Sequence, residues 1–79
     1  MKLWLANFDP ETTDDELREL VGKYTKLAVA RITREHGEGS RPAAVLEFEG
    51  ADRAVLYEAQ RRLNGLFRKN RSLAASVPM

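Results

Sequence analysis

The sequence predicts an α+β fold with the element order β-α-β-β-α-β. Two helices lie on one face of a four-stranded antiparallel sheet and leave the other face bare. Three observations predict it. Four short runs carry alternating apolar character: Lys2 to Asn7, Leu27 to Arg34, Pro42 to Glu49 and Ser72 to Val77. Two longer segments carry apolar residues three and four apart, each opened by a capping residue. Turn-forming residues, among them Asp9-Pro10 and Asn64-Gly65, separate the segments.

The first strand puts Leu3 and Leu5 on one side and Trp4 and Ala6 on the other. Both sides are apolar, as in a central strand. Thr13-Asp14-Asp15-Glu16 is a capping box: the threonine hydroxyl takes the backbone N–H three residues on, and the glutamate reaches back. The three acids also suit the positive end of the helix dipole. Leu17, Leu20, Val21 and Tyr24 then form one buried stripe, and the helix ends near Gly22-Lys23.

In the second strand Leu27, Ala30 and Ile32 are core positions, with Val29, Arg31 and Thr33 opposite. The odd spacing of Leu27 and Ala30 requires a bulge between them or a loose start to the strand. Glu35 to Ser40 is a polar loop whose glycines, Gly37 and Gly39, give it freedom, and His36 is an exposed member of it. Pro42 sits at a strand start, where its missing N–H costs least. Beyond it Ala44, Leu46 and Phe48 face the core, and Ala43, Val45 and Glu47 face away. Asp52 caps the second helix, whose core side carries Leu56, Ala59 and Leu63, and Gly65 follows it as a left-handed residue. A turn at Lys69-Asn70-Arg71 leads into the last strand.

Composition narrows the function. A chain of 79 residues is one domain, residues 1–79. It has no cysteine and one histidine, His36, which removes disulfides, thiolate chemistry, Ser-His-Asp triads and histidine metal clusters. No metal or cofactor is expected. With no nucleophile–base set and no phosphate loop, we expect no enzyme. No secretory or membrane-spanning segment is visible, the Asn70-Arg71-Ser72 sequon is a chance match, and we expect a cytoplasmic protein without membrane partners. The formal net charge is +1, so only the distribution of charge can favour nucleic acid. Acids crowd Asp9 to Glu19. Arg61, Arg62, Arg68, Lys69 and Arg71 lie late, and with Lys2, Arg31, Arg34 and Arg41 they form a candidate phosphate track.

This order of elements, with Leu3-Trp4-Leu5-Ala6-Asn7-Phe8 on strand one and Arg41-Pro42-Ala43-Ala44-Val45-Leu46-Glu47-Phe48 on strand three, resembles the RNA-recognition motif (RRM) family over nearly the whole chain. The two segments are similar to that family's hexamer and octamer. The resemblance implies a ferredoxin-like sandwich in which aromatics on the two central strands stack unpaired bases and a basic residue at the octamer start meets a phosphate. By position, Trp4 is the stacking residue and Arg41 the phosphate partner. The octamer departs from the family pattern: Ala43 and Val45 stand in place of its aromatics, and Pro42 in place of its glycine. Stacking is worth about 1–3 kcal/mol per base, so two missing platforms forfeit roughly 2–6 kcal/mol. The expectation is low-specificity binding of single-stranded RNA on the open face, through Lys2, Trp4, Arg31, Arg41, Ala43, Val45, Arg71 and Ser76. The alternative is a protein-interaction or homodimerisation module using the same apolar face.

Overall fold

In a computed structural model the described residues are 2–35 and 42–78. His36, the loop glycines and Arg41 lie outside them. Strand β1 (Lys2–Ala6) leads through a turn to helix α1 (Asp14–Thr25), then β2 (Val29–Glu35), β3 (Ala43–Phe48), α2 (Arg53–Leu63), β4 (Phe67–Arg68), β5 (Arg71–Ser72) and β6 (Ala74–Ser76). The main sheet has the order β2-β3-β1-β6 with every neighbouring pair antiparallel. This is the ferredoxin-like arrangement, with β1 and β3 at its centre.

Local chemistry sets each boundary. After β1, Asp9 begins a turn with Pro10 at its second position. The Thr12 N–H donates to the Asp9 carbonyl at 2.9 Å, and the Asp9 carboxylate accepts from the Glu11 N–H. The capping box at α1 is complete: the Glu16 N–H donates to the Thr13 hydroxyl, and the Thr13 N–H to the Glu16 carboxylate, both at 3.1 Å. Lys26 closes α1 in the left-handed region. The Asp52 carboxylate caps α2 by accepting from the Val55 N–H, and Gly65 follows at φ +83°.

Leu3, Leu5, Leu46 and Ala44 from the sheet meet Leu17, Val21, Leu56 and Leu63 from the helices, all fully buried. Truncating a leucine in such a core to alanine costs about 2–5 kcal/mol. These are the positions that the apolar spacing selects.

Two elements differ from the sequence expectation. The bulge lies between Val29 and Arg31, later than expected. Val29 pairs with Phe48 and packs against the core, while Ala30 is the extra, exposed residue. Val29 is therefore not on the open face. Burying its larger side chain removes more apolar surface from water than burying Ala30 would. The second difference is the last strand. It is preceded by a small ribbon, β4 with β5, closed by Lys69 and Asn70 at φ 52° and 63°. Two consecutive left-handed residues are the signature of a tight hairpin turn. The strand in the main sheet is only Ala74–Ser76.

Candidate nucleic-acid interface

The register arranges the open face in rows. One row runs Thr33, Val45, Trp4, Ser76 from edge to edge. Beside it run Arg31, Glu47 and Lys2. On the other side run Glu35, Ala43, Ala6 and Ala74. The structure thus brings Lys2, Trp4, Arg31, Ala43, Val45 and Ser76 onto one surface.

Trp4 is 37% exposed, with Val45 and Ser76, both half-buried, on either side. Its backbone is fixed because Leu3 and Leu5 anchor the same strand in the core. Ala6 and Ala43 point the same way but are 7% and 5% exposed. A methyl group sits below the larger side chains two residues along each strand. Ala43 therefore floors the face and offers little surface for contact. The row next to Trp4 is charged: the Arg31 Nε stands 3.9 Å from a Glu47 carboxylate oxygen, with the arginine side chain largely in solvent.

The candidate phosphate track is mostly committed elsewhere. Arg34 points to the helix side. Its guanidinium donates to Asp14 at 2.9 Å and to the Thr12 carbonyl at 2.7 Å, and it lies 5.3 Å from the centre of the Phe8 ring. Arg61 and Arg62 pair with Glu58 one turn earlier on α2. Arg68 and Lys69 reach the Glu16 carboxylate at 3.6 and 3.3 Å. The late run of bases is thus answered by acids distant in sequence or one turn back. Arg71 belongs to the β4–β5 ribbon, opposite Arg68, outside the main sheet. Arg41 lies outside the described residues.

Two glutamates record these pairings. The Thr13 backbone N–H, then Lys69, hold the Glu16 carboxyl below the ordinary glutamate range. Hydrogen bonds from Arg61 and Arg62 do the same for Glu58.

Asn7 carries a role the sequence reading did not assign. Its side-chain amide donates to the Ser72 carbonyl and its N–H to the Pro42 carbonyl, while its backbone sits at φ 65°. It ties the end of β1 to the residues entering β3 and β6. An asparagine directly after an apolar strand is a signal for such a left-handed position. Among the described residues no group of histidine, cysteine or carboxylates could hold a metal ion, and no helix is long and apolar enough to cross a membrane.

Similarity searches agree with this geometry. The RNA recognition motif family profile matches residues 3–74. No curated protein matches the chain. Among solved structures, the chain is similar to the three N-terminal RNA-binding domains of the yeast splicing factor Prp24, with a TM-score of 0.83 and 22% identity. The match covers 99% of this chain and 32% of that one, so the chain spans about a third of that protein's length. The third RRM of Pes4 follows at TM-score 0.79 and 13% identity, covering 99% of this chain and 90% of that one. The RRM of Rna15, solved with bound RNA (GU), superposes at TM-score 0.75 and 20% identity, covering 98% of this chain and 81% of that one. At these identities the structures speak for the fold, and the profile match over most of the chain decides the family. The chain belongs to the RNA recognition motif family.

Proposed function

We propose that this protein binds single-stranded RNA on the open face of its sheet, with Trp4 as the stacking platform. The observation that carries the reading is the exposed indole in the middle of the face, between half-buried Val45 and Ser76 and beside a charged row. Family membership supports it, as does the RNA held by the Rna15 domain of the same fold. An unpaired base presents a flat face that an indole covers whatever the base. Arg31 and Lys2 lie in the row beside the platform and hold phosphates on that side of the stacked base, and Arg41 adds a third cation. Val45 supplies apolar contact and Ser76 a hydroxyl at the row's end. Arg71 extends the contact beyond the sheet.

One platform gives modest affinity. At about 1–3 kcal/mol for stacking and a few screened phosphate contacts, dissociation constants in the micromolar range or weaker are expected. Stacking by itself tolerates any base, so the platform alone gives low specificity. Titration of short labelled single-stranded RNA at low and moderate salt tests the reading, with Trp4→Ala as the comparison. Binding that weakens with the variant and with salt supports it. A flat titration, together with a concentration-dependent dimer dispersed by Trp4→Glu in light scattering, assigns the face to protein pairing instead.

A further inference from the structure

We infer that Glu47 selects guanine as the base stacked at Trp4. This rests on the RNA-binding reading and adds base identity to it. Glu47 lies in register with Lys2 on one side and Arg31 on the other, so its row reads cation, carboxylate, cation across β2, β3 and β1. Trp4 pairs with Val45, two residues before Glu47 on the same strand face. Glu47 is thus the diagonal neighbour of Trp4, roughly 7 Å away between Cβ atoms. A base lying on the indole extends its polar edge past the ring, toward this carboxylate.

The carboxylate is free to answer that edge. The Glu47 side chain is 34% exposed, and its one ion partner among the described residues is Arg31 at 3.9 Å. Pairs this long and this exposed hold a side chain weakly. An ionised carboxylate only accepts hydrogen bonds. Of the four bases, guanine alone offers two adjacent donors on its Watson–Crick edge, N1–H and the N2 amino group. Adenine and cytosine each present one donor beside an acceptor nitrogen, and the uracil N3–H lies between two carbonyl oxygens. Against those three, the carboxylate makes one bond and turns its second oxygen toward a lone pair. Thr33 and Ser76, in the Trp4 row, both donate and accept, and so discriminate little. Arg31 and Lys2, on either side of Glu47 in its row, hold phosphates, which leaves the carboxylate to the base.

The test is fluorescence titration of the full chain with the RNA hexamers UUGUUU, UUAUUU, UUCUUU and UUUUUU, and with inosine in place of the guanine. The inosine arm removes the N2 donor without touching the protein. The expected result is a preference for the guanine hexamer of roughly five- to a hundredfold, the range of one good bidentate pair. The inosine hexamer loses most of that preference. Glu47→Gln, whose amide offers one donor and one acceptor, loses the guanine preference and binds the hexamers alike. Equal binding of the hexamers by the wild type, or a preference that survives Glu47→Gln, overturns the assignment of Glu47 and leaves the Trp4 platform standing. No binding of any hexamer overturns both.

Discussion

The side-chain amide of Asn7 donates to the carbonyl oxygen of Ser72 at 2.9 Å, across 65 positions of sequence. The bond joins the end of the central strand that carries Trp4 to the chain entering the edge strand β6. Asn7 holds this place in the left-handed region at φ 65°, where asparagine is tolerated and most residues are strained.

Asn7→Ala therefore loses twice, once in the hydrogen bond and once in backbone strain. We expect a cost of about 1–3 kcal/mol in chemical denaturation. Asn7→Gly relieves the strain but not the lost bond, and falls between the two.

Arg34 and Arg31 are near neighbours in sequence with opposite duties. Arg34 is bonded to Asp14 and the Thr12 carbonyl over the Phe8 ring, whereas Arg31 stands on the open face. Arg34→Ala lowers stability by roughly 1–2 kcal/mol and leaves RNA affinity unchanged. Arg31→Ala changes stability by less than about 0.5 kcal/mol and weakens RNA binding uniformly across sequences. Denaturation and RNA titration of both variants check the separation. Loss of RNA affinity in Arg34→Ala would return that side chain to the phosphate track.

Thr12 is 3% exposed, and its hydroxyl has no hydrogen-bond partner among the described residues. A buried hydroxyl without a partner is a cost that valine, of nearly the same shape, does not carry. Thr12→Val is expected to be as stable as the wild type or up to about 1 kcal/mol more stable by urea denaturation. Clear destabilisation would mean that the hydroxyl is satisfied in solution.

Most of the scaffold was legible because its signals are local. The capping box at Thr13 and Glu16, the Asp52 cap and the left-handed Gly65 each follow from residues within one turn, and the buried leucines follow from their spacing. What was not legible depends on distant partners. The bulge position depends on Val29 meeting Phe48, a contact from another strand. The β4–β5 ribbon turns on Lys69 and Asn70, and lysine is no usual marker of a left-handed residue. The site shows the same division. The strand periodicity put Trp4 and Arg31 on the open face, but the late basic run was misleading. Glu58 answers Arg61 and Arg62 from one turn back on the same helix, while Glu16 comes to Arg68 and Lys69 only through the fold.

Acid should loosen this network in a defined direction. Glu16 and Glu58 have carboxyls held below the ordinary glutamate value of 4.5. A depressed value in the folded state means that the stabilisation is fully present above the unfolded-state value and is lost as pH falls through the folded one. The melting temperature is therefore level near neutrality and declines once pH drops below about 4.5. Glu16→Gln melts lower at neutral pH and shows a shallower acid decline. Calorimetry across pH measures both, and an unchanged acid decline in the variant would remove Glu16 from the linkage.

The stacking role of Trp4 is tested most directly by RNA titration of wild type, Trp4→Phe and Trp4→Ala across a salt series, with thermal melting to confirm the fold. The predicted result is a loss of about five- to a hundredfold in affinity for Trp4→Ala and a smaller loss for Trp4→Phe. All three proteins share a slope of log affinity against log salt of about −2 to −3, as expected for three to four phosphate contacts by Lys2, Arg31, Arg41 and Arg71 on a single strand. Equal affinity of wild type and Trp4→Ala for every RNA would contradict the account.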